Sequence, residues 1–167
     1  MTSDLKLDEK ASYLVKKGNA RMELLRKVAS FGTNPEELKN IYILFIRSLL
    51  EQSATVWHSS LTEQNKSDLE RVQKTALRII LGEKYLSYEN ALSKLDMENL
   101  TERRENLCKA FAQKSSKNPK CTNMFPVNDK NHPMITRKTE KFKVQHANTG
   151  RLQSSSLIYM QNLMNEH

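Results

Sequence analysis

The sequence predicts an all-α fold, a small bundle of about five helices followed by a mostly irregular basic C-terminal tail. Three observations predict it. Through the first two-thirds of the chain apolar residues recur at three- and four-residue intervals, the period of one helix face. Gly and Pro number only 4 each among 167 residues, too few for a turn-dense β architecture. Pro119, Pro126 and Pro133 then fall together in SSKNPKCTNMFPVNDKNHP, where the helical period stops and an irregular linker is expected.

In the first predicted helix Ala11, Leu14, Val15, Gly18, Met22, Leu25 and Ala29 share a face, and Gly32 suits the left-handed residue that ends it. The second has a clear start in Asn34 as cap, Pro35 at the first position and Glu37 three residues after the cap. Its stripe is Leu38, Ile41, Tyr42, Phe45 and Leu49, continuing toward Val56 and Trp57. Ser60 or Thr62 caps a third helix that ends at Gly82, with Leu69, Val72, Ala76, Ile79 and Ile80 inward. A short fourth follows Ser87 and carries Ala91, Leu92 and Leu95. A fifth starts near Asn99 or Thr101 and turns Leu100, Leu107, Cys108 and Phe111 inward. Beyond it, residues 141–146 alternate as a short strand would, and residues 156–165 form a last amphipathic helix, neither with an obvious core of its own. The expected division is a helical domain at 4–114 and a basic extension at 115–167. Trp57, Phe45, Leu49, Val72, Ala76 and Ile80 are expected to share one core.

Composition excludes several classes. The longest apolar run, Ile41 to Ile46, is stopped by Arg47, far short of the ~20 residues of a membrane span, so no membrane partner is expected. The first residues lack the apolar core of a secretory signal, and two cysteines make no disulfide framework, so an intracellular setting is expected. The net charge is +8 and is unevenly spread. Residues 1–100 hold 15 Lys/Arg against 14 Asp/Glu, whereas residues 101–147 hold 11 against 4. That points to a polyanion, with nucleic acid the first candidate.

The chemistry-bearing residues divide along the same line. Arg71, Lys74 and Arg78 share the outer face of the third helix and suit a phosphate backbone, with Asp68 and Glu70 beside them. The stronger surface is expected from Lys114, Lys117, Lys120, Arg137, Lys138, Lys141 and Lys143, with Phe111, Phe125 and Phe142 placed to stack bases or to pack. Arg103 and Arg104 are expected to bury their stems and keep their heads wet. Trp57-His58 reads as core packing and a helix-terminal imidazole rather than a catalytic base. Cys108, Cys121, His132 and His146 lie more than ten residues apart, unlike the close pairs of a zinc site, so no metal is expected. GxSxG, GxGxxG, GxxxxGK[ST] and HExxH are missing, as is a paired Asp-Asp for two metals. Neither catalysis by this chain alone nor a cofactor is expected.

A family resemblance adds to this reading. DLKLDEK, YLVKKGNARMELLRKVASFG, IRSLLEQSATVWHSSLT and LERVQKTALRIILG resemble, in order, the region after the palm in reverse transcriptases of Jockey-type non-LTR retrotransposons. YENALSKLDMENLTERRENLCKAFAQK and HPMITRKTEKFKVQHANTGRLQSSSLIYMQNLMN continue it, so the resemblance covers about Asp4 to Asn165. Leu7, Lys10, Gln52 and Thr55 depart from that pattern, standing where the family tends to Trp, His, an aromatic residue and Pro. The resemblance implies a thumb-like, non-catalytic support domain holding an RNA or DNA template-primer, with the polymerase palm as a partner. The alternative is a helical protein-interaction module that docks on a palm. The first two helices also resemble a short module at the N-terminus of AlkB-type dioxygenase and tRNA-methyltransferase proteins. With no iron triad and no glycine-rich cofactor loop, neither activity is expected.

Overall fold

In the computed structural model, which describes residues 3–128 and 142–165, helices dominate and no strand forms among the described residues. The chain falls into two compact units, one within Met1–Ala54 and Leu61–Arg104, the other within Thr55–Ser60 and Glu105–His167. The break lies inside a helix at Arg104/Glu105, and a short serine-rich segment from mid-chain belongs with the C-terminal residues.

In the first unit, α1 (Ser3–Ser30) buries Ala11, Leu14, Met22 and Leu25 along its predicted stripe. Gly32 has φ 78°, the left-handed conformation that ends the helix without steric cost. Gly18 is buried for a second reason. A Cβ there would lie 3.1 Å from a Val72 methyl and 3.4 Å from a Leu50 methyl, so any larger residue would require Val72 to give by a few tenths of an ångström.

Helix α2 (Pro35–Ile41) starts as predicted. The Asn34 side chain accepts from the Glu36 amide at 3.2 Å and Pro35 occupies the first turn. The chain then runs on through a π-helical stretch, Tyr42–Arg47, and a last α turn, Ser48–Leu50. This keeps Leu38 and Tyr42 of the predicted stripe inward and displaces its later part. Widening the turn keeps residues four apart in line, so Leu38, Tyr42, Ile46 and Leu50 are buried. Phe45, expected in the core, is 51% exposed, and Leu49 is only half-buried.

Helix α3 (Ala54–Trp57) is followed by a 3-10 turn, His58–Ser60. Helix α4 (Glu63–Leu81) is capped by Thr62, whose hydroxyl accepts from the Asn65 amide at 3.2 Å, and ends at Gly82 with φ 51°. Its inner face holds Leu69, Val72, Ala76, Leu77 and Ile80. Helix α5 (Tyr88–Lys94) is capped by Ser87 as predicted, and α6 (Leu100–Ser116) by Asn99.

The core of the first unit has a polar centre. Gln73 is fully buried in α4 and accepts from the Tyr42 hydroxyl at 2.6 Å. Its amide donates to the Tyr88 hydroxyl at 3.0 Å and to the Glu98 carbonyl at 2.9 Å. Tyr88 in turn donates to the Glu70 carboxylate, which also accepts from the Leu100 amide at 3.2 Å.

The second unit has the core that the sequence did not reveal. Ala112 of α6 packs with Phe125, Phe142 and Met160, partly covered by Leu157 and Met164. The Phe125 and Phe142 rings meet edge-on at 6.1 Å. The expected strand at 141–146 reduces to an isolated bridge between Val127 and Phe142. A 3-10 helix, Pro119–Met124, precedes it, and α7 (Gly150–Gln153) and α8 (Ser156–Asn165) follow. Helix α8 matches the predicted terminal helix. The Gln161 carboxamide clasps the turns around it, donating to the Met124 carbonyl at 2.7 Å and accepting from the Gln145 amide at 3.0 Å. Trp57 is 4% exposed, but it belongs to this unit and not to that of Val72, Ala76 and Ile80, which corrects the expected shared core. The segment is tied to the C-terminal helices. Ser59 and Ser60 both donate to the Ser154 carbonyl at 2.9 Å, and the His58 ring meets Tyr159 edge-on at 5.8 Å.

Two stability measurements follow. Tyr42→Phe leaves the Gln73 oxygen buried without its donor and should cost about 1–3 kcal/mol. Trp57→Ala should cost about 3–5 kcal/mol through its cavity. Both are read as a lowered midpoint of chemical denaturation.

Candidate nucleic-acid interface

On α4 the predicted stripe is on the surface, with Arg71, Lys74 and Arg78 all exposed opposite the buried face. Each is held differently. The Arg71 guanidinium lies 3.7 Å from the Asp68 carboxylate. The Lys74 ammonium sits 4.9 Å from the centre of the Tyr88 ring, and the Arg78 guanidinium 5.3 Å from that of Tyr85. Tyr85 and Tyr88 were not singled out in the sequence, because the turn at Gly82 separates them from the cations they meet. Burial, reinforced by the Glu70 carboxylate, pushes the Tyr88 phenol well above the usual tyrosine range. Tyr42 is pushed up as well, mainly by burial, against the opposing pull of Arg47. Both phenols therefore stay neutral donors, and Lys74 rests on the uncharged ring of Tyr88.

The two α6 arginines depart from expectation. Arg103 is half-buried and bound to acids, 3.3 Å from Glu51 and 3.9 Å from Glu98. Arg104 is 0% exposed, so its head is not wet and it leaves the set of phosphate-contacting residues. The helical period explains this. Leu100 and Cys108, four residues either side of it, are also buried, so Arg104 lies in the centre of the inward face. Its charge and those of Glu70, Glu51 and Arg47 all act on the Tyr42 hydroxyl. Phe111, expected inward, falls off the edge of that face and is 46% exposed.

Lys114, Lys117, Lys120 and Lys143 are exposed, all in the second unit. Lys114 sits in the last turn of α6 and Lys120 in the 3-10 helix after it. The amide of Lys143 donates to the Pro126 carbonyl at 2.8 Å. Arg137, Lys138 and Lys141 lie outside the described residues, as does His132. Phe125 and Phe142, the two aromatics placed to stack or pack, are buried and pack.

Among the described residues no group of three or more His, Cys, Asp or Glu side chains is placed to hold a metal ion. Cys108 is buried in α6, and His58 is buried beside Tyr159. No helix among the described residues is long and apolar enough to cross a membrane. Comparison with known proteins found no matching family model, no similar curated protein and no similar solved structure.

The burial of Arg104 separates stability from binding. Arg104→Gln should lower the denaturation midpoint by about 1–3 kcal/mol. The salt dependence of any nucleic-acid binding, read by fluorescence anisotropy, should stay the same.

Proposed function

We propose that this chain is a non-catalytic nucleic-acid-binding support domain that grips phosphates of a template-primer, RNA or DNA, chiefly through its second unit. The observation that carries the reading is the difference in charge balance between the described parts of the two units. In the first unit the cations keep company with acids: Arg26 with Glu23, Lys39 with Glu36, Arg47 with Glu51, Lys66 with Glu63, Arg71 with Asp68 and Arg103 with Glu51. The described part of the second unit holds a single acid, Glu105, and exposes Lys114, Lys117, Lys120 and Lys143 to solvent. Fields that are not cancelled by neighbouring carboxylates add, and such a surface attracts a polyanion. The anchored stripe of Arg71, Lys74 and Arg78 supplies a second, weaker phosphate-facing row.

The resemblance to the post-palm region of Jockey-type reverse transcriptases supports a role beside a polymerase palm. A helical docking module is the second reading, favoured by the exposure of Phe31, Leu44 and Leu86 at 85%, 68% and 79%. Salt separates the two, since phosphate contacts weaken as counterions compete and apolar docking does not.

The test is a salt titration on the full chain, because the core of the second unit needs Phe142 and Met160 and a truncated chain would lose it. If about five phosphates are neutralised, log affinity for a duplex should fall against log salt with a slope near −4 to −5. The combined Lys114→Gln, Lys117→Gln, Lys120→Gln variant should bring that slope closer to zero by about 2–3. An unchanged slope in this variant counts against the reading.

A further inference from the structure

We infer that the outer face of α1, with Phe45 beside it, is a separate contact for single-stranded nucleic acid in which Tyr13 and Phe45 stack bases and Lys10, Lys17 and Arg21 hold phosphates. This inference rests on the nucleic-acid reading above and adds a site in the first unit. Positions 10, 13, 17, 21 and 24 follow one face of the helix at three- and four-residue steps, and none of them is an acid. Tyr13 is 50% exposed, with the Lys10 and Lys17 ammoniums 5.8 Å and 5.7 Å from its ring centre. A half-exposed tyrosine with two flexible lysines within about 6 Å of its ring can take a base on that ring as the ammoniums move off it to meet the flanking phosphates.

One turn beyond Lys17, the Arg21 guanidinium donates to the Phe45 carbonyl. That bond joins α1 to the π-helical stretch, whose widened turn leaves Phe45 51% exposed. Lys10, Tyr13, Lys17 and Arg21 thus follow one side of α1, and the bond from Arg21 brings the Phe45 backbone to its end. From Tyr13 to Arg21 the helix rises about 12 Å at 1.5 Å per residue. That is three to four nucleotides at about 3.4 Å per nucleotide of strand. A stiff duplex keeps its bases stacked inside and cannot use these rings, so the surface selects single strands.

The experiment measures binding of a 12-mer oligothymidylate and of a 12-base-pair duplex by fluorescence anisotropy, with the full chain and its Tyr13→Leu, Phe45→Leu and Tyr13→Trp variants. Both leucine variants should bind oligothymidylate about 5- to 150-fold more weakly, the range expected for one lost stacking partner. Their duplex affinity should change less than twofold. Tyr13→Trp should bind oligothymidylate at least as tightly as the parent. Leucine variants that keep full oligothymidylate affinity, or a Tyr13→Trp that binds as poorly as Tyr13→Leu, would overturn the stacking site. The same outcome with a duplex slope that still responds to Lys114, Lys117 and Lys120 leaves the first reading standing. A parent chain that binds neither probe overturns both readings. Vesicles of phosphatidylserine and phosphatidylcholine are the control. Loss of vesicle binding in Tyr13→Leu with oligothymidylate affinity intact would assign the face to a lipid surface instead.

Discussion

Gln73 lies at the middle of α4 with no exposed surface, and both ends of its carboxamide are used. A buried amide without partners costs several kcal/mol, so the elements around it are constrained to supply them. Tyr42 comes from the π-helical stretch, Tyr88 from α5 and the Glu98 carbonyl from the approach to α6. Helices packed by apolar side chains alone slide against one another at little cost, whereas a hydrogen bond made to one atom has one register. Glu70 extends the constraint by taking the Tyr88 hydroxyl and the Leu100 amide, which fixes where α6 begins. The placement of Lys74 above Tyr88 is a consequence, since the ring it rests on is held by this network.

The close approach at Gly18 and the π-helical stretch belong together. Without a side chain at Gly18, Leu50 and Val72 come within van der Waals reach of the same point on α1. The wide turn places Tyr42, Ile46 and Leu50 in a single buried row, and Leu50 at its end reaches this space. The same turn moves Phe45 out to water, so one backbone irregularity both completes the core and exposes an aromatic ring.

Helix starts and ends were legible because their signals are local. Asn34-Pro35, Thr62, Ser87 and Asn99 cap where their side chains reach amides two or three residues away, and Gly32 and Gly82 end helices where φ turns positive. What was not legible depends on distant partners. Nothing near Phe45 in the sequence announces a shift in hydrogen-bond pattern, because the apolar run from Ile41 to Ile46 offers a plausible residue to every register. Arg104 reads as a surface cation until the burial of both Leu100 and Cys108 is known. The exposure of Lys114, Lys117 and Lys120 followed from composition, but the tying-up of Arg103 by Glu51 joins residues 52 apart in the chain. Phe125 and Phe142 were left open between stacking and packing, and only the fold decides that they pack.

The second unit is discontinuous in sequence, and this bears on its birth at the ribosome. Trp57 and His58 emerge early, yet the carbonyl that receives Ser59 and Ser60 belongs to Ser154, 94 or 95 residues later. At a translation rate of about 5–20 residues per second, the two serine hydroxyls wait several seconds for that acceptor. During that interval the chain of the first unit, out to Arg104, has already been made, while the second unit is still incomplete. A nonsense codon anywhere between residues 105 and 154 would make that wait permanent, leaving a mid-chain turn without an acceptor encoded far downstream of it.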